Sequence, residues 1–397
     1  MNYIEQSSAA GRHLMPDLVR AFAIIGIALV NVGFIAYSME ASYFGGGIRS
    51  NADYWANFLV SAIFLVKTYS LFAFMFGVGF AYQMKSAARA GASFKARYFR
   101  RIIGLLVLGL LHAFLAFPGD ILVTYAVFGA FLYLFKNAKT KTLIIWGLIF
   151  IGLQIFVMGF LALAMQLGYQ FAPDEMLLAA EEMLAESERS HEVLGGGTYI
   201  EAVFLRIDQW VDFAIFGIFA QGGGVLGAFL LGFAAVKSNV IANPDAKIWR
   251  IARVWLLPIG ILGSVFGAYL YAGSETFLSP QTMWGMAILF AAAPFSSAGY
   301  LGLIAKWAAS PATRLKTFMA RGGTATLTSY LMQSILLSFI FSNYGLGYFE
   351  KFGAAKSIAI ALAVALLSLV FSSLWRVKFQ RGPMEALLRG FTYLGNK

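Results

Sequence analysis

Four polar residues of this 397-residue chain lie within or beside long apolar runs and carry side chains that could do chemistry: Asn31, Lys67, His112 and Asp120. An imidazole titrates near neutral pH, so His112 could take a proton from a hydroxyl or an amine. Lys67 or Asn31 could stabilise an oxyanion formed in such a reaction. Asp120 follows His112 across a Pro118-Gly119 turn, where it could orient the imidazole or pair with Lys67.

Their spacing predicts a common depth. Asn31, Lys67 and His112 each lie about 16 Å from one end of their apolar run, at about 1.5 Å per helical residue. In a hydrocarbon core about 30 Å thick, these levels coincide near the midplane. Other polar residues fall at the same level: Gln154, Gln221, Tyr330 and Gln333. We therefore expect a polar layer that forms either a site or an interhelical hydrogen-bond network.

Each of these residues also has a purely structural interpretation. A lysine near the bilayer centre costs about 2.5–3.5 kcal/mol on insertion scales, so Lys67 needs a partner. It could bond backbone carbonyls, be neutral, reach Asp53 or Asp120 at the end of a span, or meet an anionic ligand. His112 could be an interhelical hydrogen-bond donor, and Asp120 could cap the helix that follows it.

A second group of residues is basic. Arg20 follows Asp17 by three residues, and the stretch 85–101 contains Arg97, Arg100 and Arg101 without any acidic residue. These arginines could grip the phosphates of a donor substrate. The alternative is that they fix membrane orientation and contact anionic lipid.

Composition limits the classes of protein to consider. The chain is 60% hydrophobic and 12% charged, whereas globular proteins carry about 25% charged residues. It has no cysteine and three histidines, which excludes disulfide scaffolds and thiol catalysis and makes a multi-histidine metal site unexpected, so we assign no metal ligands.

The elements that must position these residues are membrane-spanning helices. We predict an all-α, polytopic bundle forming a single transmembrane domain over 1–397, with about ten spans. The third and fourth spans are short and form a helical hairpin, and the second is long enough to be tilted, kinked or interfacial. The predicted ranges are 18–38, 56–84, 102–118, 120–135, 142–168, 211–236, 250–272, 281–305, 322–343 and 354–375.

Charge placement predicts the orientation. Most of the 30 basic residues fall at the N-terminus, the C-terminus and every second connection, which places both termini in the cytoplasm. Of the 19 acidic residues, only Glu5, Asp17, Asp245 and Glu385 share that side. The net charge of +11 thus reflects topology, and we expect the lipid bilayer, not nucleic acid, as a partner.

One connection is long. Residues 169–210 are predicted as an acidic extracytoplasmic loop, within which Pro173 starts a helix and the glycines 195–197 end it. Glycine-rich stretches within the spans, 77–79 and 222–224, follow no strand, so they indicate close helix packing and not phosphate binding.

Several of these segments together resemble the YeiB-like family of bacterial membrane proteins, most of which carry a domain of unknown function. The resemblance spans nearly the whole chain, in order. The matching segments are 17–27 with Asn31, 66–80, 109–113, 119–122, 125–126, 328–334 and 382–385.

This resemblance implies a multi-pass protein of the bacterial inner (cytoplasmic) membrane. The family is distantly similar to transmembrane acyltransferases, which move an acyl group from a cytosolic thioester to an acceptor on the far side. The resemblance thus implies acyl-CoA as a donor substrate, while no cofactor is firmly implied. The catalytic histidine of those enzymes follows the first span, but residues 39–56 contain none, so His112 is the candidate substitute.

Three functions follow as hypotheses. The first is transmembrane acyl transfer, with His112 as base, Lys67 or Asn31 at the oxyanion, and Arg20, Arg97, Arg100 and Arg101 at the donor phosphates. The second is transport or export of an anionic small molecule bound by Lys67. The third is a membrane scaffold whose polar layer packs helices. A small-molecule substrate is expected in the first two, and oligomers are compatible with all three.

Overall fold

The computed structural model describes residues 13–38, 47–274 and 276–394, so Glu5 lies outside the described residues. Within these ranges every regular element is a helix and none is a strand. The predicted all-α bundle is therefore confirmed. The helices are α1 (Met15–Ile35), α2 (Asn51–Ile63), α3 (Lys67–Arg89), α4 (Phe94–Leu115), α5 (Ile121–Leu132), α6 (Thr140–Phe171), α7 (Pro173–Gly196), α8 (Tyr199–Phe216), α9 (Gly222–Lys237), α10 (Lys247–Ile251), α11 (Leu257–Ala272), α12 (Pro280–Ala309), α13 (Arg314–Gly322), α14 (Thr326–Phe341), α15 (Ala354–Lys378) and α16 (Pro383–Thr392).

Helix lengths account for the predicted spans. Among the described residues, eight helical segments are long and apolar enough to cross a membrane, and α13 with α14, bent by 79°, would make a ninth. The predicted fourth span is α5 and its 3₁₀ extension, Ile121–Phe135, which is apolar but short. At about 1.5 Å per residue, α5 is too short to cross a core of about 30 Å. The α4–α5 hairpin therefore does not form two full membrane spans.

The second span is broken in its middle. Residues 64–66 separate α2 from α3, and Val66 has a φ of 71°. Positive φ is unfavourable for a β-branched residue, so the surrounding structure must stabilise this conformation. Side chains donate hydrogen bonds to backbone carbonyls near the break. Tyr300 donates to the Ile63 carbonyl (3.0 Å), and Ser70 donates to that of Val66 (2.8 Å).

The connection 169–210 is helical over most of its length, and it contains the helix predicted to start at Pro173 and end at the glycines 195–197. Helix α6 continues to Phe171, and α7 begins at Pro173, as the sequence predicts. A capping box formed by Thr198 and Glu201 then starts α8, which continues through a π-helical turn (Gly217–Gln221) into α9. Proline in the first turn favours the start of α7, and the capping box satisfies backbone amides at the start of α8.

The basic residues gather at one end of the bundle. This end, which we call the basic end, contains the first turns of α1 and α4, the last turn of α15, and α16. The positive-inside rule assigns it to the cytoplasm. At this end, the first turn of α1 packs closely on the segment between α13 and α14. A Cβ at Gly323 would lie 1.9 Å from the Asp17 carbonyl oxygen. Only glycine fits there.

Glycines also allow α3 and α9 to pack backbone to backbone, as expected for 77–79. A Cβ at Gly77 would lie 1.9 Å from the Phe229 carbonyl oxygen, and one at Gly232 would lie 2.0 Å from that of Phe74. Gly79, on the same helix, has nothing within 4 Å of its would-be Cβ.

This pair of glycines gives a matched test of packing. We expect Gly77→Ala to lower the thermal unfolding temperature of the purified protein, because the added methyl group forces α3 away from α9 at a cost of about 1–3 kcal/mol. Gly79→Ala adds the same group into open space and should leave the unfolding temperature unchanged or slightly raised. Equal unfolding temperatures for the two variants would contradict this packing.

Candidate functional site

His112 and Asp120 form a buried pair within the α4–α5 hairpin. His112 lies in the last turn of α4, and Asp120 is the N-cap residue of α5. Asp120 Oδ1 accepts from the Val123 amide (3.0 Å), and Asp120 Oδ2 lies 2.6 Å from His112 Nδ1. The carboxylate thus fills two of the three roles weighed from the sequence, orienting the imidazole with one oxygen and capping α5 with the other. Gly109 makes room for it, since a Cβ there would lie 2.7 Å from Oδ1.

Tyr330 of α14 completes this cluster. Its hydroxyl donates to Asp120 Oδ2 (3.2 Å) and accepts from the Ile121 amide (3.4 Å). Its ring centroid lies 4.9 Å from that of His112. The sequence placed Tyr330 at the right depth but gave it no role, because no local spacing relates residues 120 and 330.

The far nitrogen of the imidazole has no partner. His112 Nε2 is buried and forms no hydrogen bond. If the Asp120 carboxylate accepts a proton from Nδ1, Nε2 carries the lone pair, and this tautomer is assigned from the network. A carboxylate that orients Nδ1 and leaves Nε2 as the base is the arrangement found in nucleophilic triads.

Lys67 lies elsewhere in the interior. It is fully buried, with no exposed surface, and its Nζ donates to the Ser61 carbonyl oxygen (3.1 Å). Neither acid considered as its partner reaches it. Asp120 is bonded as described, and the Asp53 carboxylate accepts from Ser50 and from the Ala355 amide. Among the sequence alternatives, the bond to a backbone carbonyl is the one observed.

The expected polar layer is divided into separate local networks. Gln154 donates to the Tyr69 hydroxyl (2.9 Å), and Gln333 donates to the Ile24 carbonyl (3.1 Å). Asn31 is half-buried on α1. The structure therefore brings Asp120, His112 and Tyr330 together, while Lys67 and Asn31 do not belong to that cluster.

A cavity of about 480 Å³ opens in the basic end, beside this cluster. Its deep wall is mainly apolar, formed by residues of α3, α4 and α5, and Tyr330 also lines it. Neither His112 nor Lys67 is among its lining residues. Its arginines come from four helices and one loop: Arg20, Arg97, Arg101, Arg376, Arg381 and Arg389.

Three of the four arginines chosen from the sequence, Arg20, Arg97 and Arg101, line this cavity. Arg100 is not among the lining residues, since its guanidinium donates to the carbonyl of Leu394. Arg376, Arg381 and Arg389 were assigned only to topology from the sequence. Their proximity to α4 depends on the packing of α16 against Gly104, where a Cβ would lie 2.7 Å from Leu388.

The cavity is strongly positive. Glu385 is the one acidic residue that lines it, and its carboxylate is occupied by the first turn of α14: Oε1 accepts from the Leu327 amide (2.7 Å) and Oε2 from the Thr328 hydroxyl (2.6 Å). The Nε atoms of Arg97 and Arg101 are buried without a hydrogen-bond partner. Burial and the like charge of Arg389 lower the pKa of Arg381 below its usual value. These features favour an anionic ligand.

Comparison with known proteins identifies the family. A family model described as "Protein of unknown function (DUF418)" matches residues 235–395. "Uncharacterized protein YxaH" of Bacillus subtilis (strain 168) is 32% identical over 395 residues, covering 95% of this chain and 93% of the relative. "Uncharacterized protein YeiB" of Escherichia coli (strain K12) is 28% identical over 397 residues, covering 96% of each chain. No solved structure matches. The resemblance seen in the sequence is therefore confirmed, and the chain belongs to the YeiB-like DUF418 family.

Proposed function

We propose that this membrane protein transfers an acyl group from a cytosolic thioester donor, acyl-CoA, to an acceptor in the membrane or on its far side. The observation that carries the proposal is the continuity between two sites. Tyr330 lines the arginine-lined cavity, and its hydroxyl bonds the carboxylate that orients His112. We further propose the bacterial inner membrane as its location, because the arginine-lined cavity then opens to the cytoplasm, where the donor is.

The cavity suits the donor in size and chemistry. Its volume of about 480 Å³ lies within the range of about 300–1,000 Å³ typical of small-molecule sites. Guanidinium groups bind phosphate oxygens bidentately. Six arginines line the cavity against one lining carboxylate, and of the six Arg20 also forms an ion pair with Asp17 (3.3 Å). The apolar deep wall would accommodate the uncharged arm that carries the thioester.

The reaction follows from the free nitrogen of His112. Nε2 would accept the proton of an acceptor hydroxyl or amine as the acceptor bonds the thioester carbonyl carbon. The carbon–sulfur bond then breaks, and the leaving thiolate takes the proton from the imidazolium. Asp120 stabilises the imidazolium and keeps the ring oriented. Lys67 has no contact with this cluster, so the proposal does not need it as the oxyanion partner.

A second candidate function is transport of an anionic small molecule. It is favoured by the break between α2 and α3, which places a fully buried ammonium at interrupted backbone in the middle of a span. Transporters commonly bind substrates at discontinuous helices. The arginine-lined cavity does not include Lys67, however, so the acyl-transfer proposal fits the geometry better.

The base is tested by replacing His112. In inside-out vesicles supplied with labelled acyl-CoA, we expect His112→Ala to reduce transfer by about 10²–10⁴-fold, the usual contribution of a general base. His191→Ala is the matched control, because His191 is exposed and bonds Glu350 away from the cavity. Transfer that persists in a folded His112→Ala protein would exclude this mechanism.

The donor site is tested by binding alone. We expect the double substitution Arg97→Gln and Arg101→Gln to weaken acyl-CoA binding by at least about tenfold, because charge-assisted hydrogen bonds contribute about 1.5–3 kcal/mol each. Binding to the unchanged protein should also weaken with salt. Arg89→Gln, an exposed residue at the end of α3, is the control. Equal affinities in the three proteins would contradict donor binding in this cavity.

Transport is tested in liposomes without any donor. The transport function predicts substrate-dependent flux of an anion that Lys67→Gln abolishes, since glutamine keeps an N–H donor but removes the charge. The acyl-transfer proposal predicts no such flux and normal donor binding by Lys67→Gln. Flux that depends on Lys67 would favour transport over acyl transfer.

A further inference from the structure

Arg206 of α8 is a second buried cation, at the opposite end of the bundle from the arginine-lined cavity. It is 3% exposed. Its guanidinium donates to the Leu115 carbonyl (3.3 Å), the Ser338 hydroxyl (2.9 Å) and the Tyr344 hydroxyl (2.9 Å). It lies two turns into α8, whose first residue, Tyr199, is at the end that the positive-inside rule places outside the cytoplasm.

All three acceptors are neutral. Within the described part of the chain, no carboxylate forms an ion pair with Arg206, whereas Arg189 on the neighbouring α7 pairs with both Glu186 and Asp208. An arginine has five N–H groups, and only three hydrogen bonds are made here. The Tyr344 ring, whose centroid lies 5.5 Å from the guanidinium carbon, partly compensates the charge. An anion would compensate it further and so stabilise this site.

The position of Arg206 relates it to His112. The Leu115 carbonyl, which Arg206 bonds, belongs to the final turn of α4, and so does His112. Arg206 therefore lies about one helical turn, or about 5 Å along the helix axis, from the level of His112. His112 also packs against Tyr330, which lines the cavity, with ring centroids 4.9 Å apart.

Two tyrosines lie over Arg206 on its outer side. Tyr199 donates to the same Leu115 carbonyl (3.1 Å), and its ring packs edge-to-face on that of Tyr344 at 5.0 Å. Tyr199 is 42% exposed, whereas Arg206 is buried. Rotation of the tyrosines would admit a ligand from the outer surface.

We propose that Arg206 binds the phosphate group of the acceptor on the extracytoplasmic side, with Ser338 and Tyr344 as hydroxyl partners. A tetrahedral phosphate offers oxygens in several directions, which matches a guanidinium flanked by two hydroxyl groups. Ser338 and Tyr344 are hydrogen-bonded to each other, so one hydroxyl proton can turn toward the phosphate while the other stays between them. As an acceptor site, this rests on the proposed acyl transfer. As an anion site, it is independent of that reaction and can be tested without a donor.

A purely structural role is the alternative. A cation at the C-terminal end of α4 stabilises the helix dipole and caps its last carbonyls without any ligand. The two roles differ in one observable property: a structural cap predicts no dependence of stability on phosphate, whereas an anion site predicts stabilisation by mass action.

The experiment measures thermal unfolding of the full chain in phosphatidylcholine nanodiscs. Arg97→Gln and Arg101→Gln are present throughout, so that the cavity at the basic end does not dominate the response. Inorganic phosphate is titrated against chloride at constant ionic strength, and a parallel arm adds phosphatidylglycerol to the nanodisc. The variants compared in this background are Arg206→Gln, Arg206→Lys and, as matched control, Arg189→Gln.

We expect phosphate to raise the unfolding temperature when Arg206 is present. Its apparent dissociation constant should rise at least about tenfold in Arg206→Gln, rise less in Arg206→Lys, and stay unchanged in Arg189→Gln. Stabilisation by phosphatidylglycerol alone, again dependent on Arg206, would assign the phosphate to a lipid headgroup instead of a soluble acceptor.

The proposal is wrong if neither anion stabilises the protein that retains Arg206, a result that does not require any Arg206 variant to fold. It is equally wrong if phosphate stabilises Arg206→Gln as strongly as its parent. Either result would leave Arg206 as a cap of α4. Since no acyl donor is present, failure of the acyl-transfer proposal would not produce these outcomes.

Discussion

The carboxylate of Asp120 joins three helices at one point in an apolar interior, and the candidate site depends on it. One oxygen caps α5, and the other meets the imidazole of α4 and the hydroxyl of α14. A buried carboxylate is stable only when several donors surround it, so each of these groups is constrained by the others. The shortness of α5 follows from the same bond, because the helix must begin where its cap lies.

Positive charge is concentrated at the basic end of the bundle to a degree that membrane orientation alone does not require. Orientation needs basic residues in cytoplasmic loops, but it does not need guanidinium groups from several helices to converge on one cavity. The neighbouring carboxylate of Glu385 is bonded to the backbone and hydroxyl groups that begin α14, so it offers little compensation. Concentrated positive charge destabilises a folded protein through self-repulsion, which the proposed anionic donor would relieve.

Much of the fold could be predicted from the sequence, because spans are set by apolar length and orientation by charge. Asp120 and His112 could be paired since they flank one turn. Tyr330 and Arg389 could not be assigned to the site, because their proximity arises from packing between distant helices. Within 169–210 the helix that begins at Pro173 could be predicted. The start of α8 at Tyr199 could not, because Arg206 and Asp208 interrupt the apolar run before residue 211.

The depth of Lys67 in its span did not identify its hydrogen-bond partner, and the break between α2 and α3 explains why. In a continuous helix the Ser61 carbonyl would accept from the amide of Leu65, but at the break that amide bonds the Val60 carbonyl instead (3.1 Å). The carbonyl of Ser61 is thereby freed and accepts from the ammonium of Lys67 (3.1 Å). The cation and the interrupted helix thus stabilise each other. A break of this kind is not visible in hydropathy, since the residues that form it, Phe64 to Val66, are as apolar as the helices on either side.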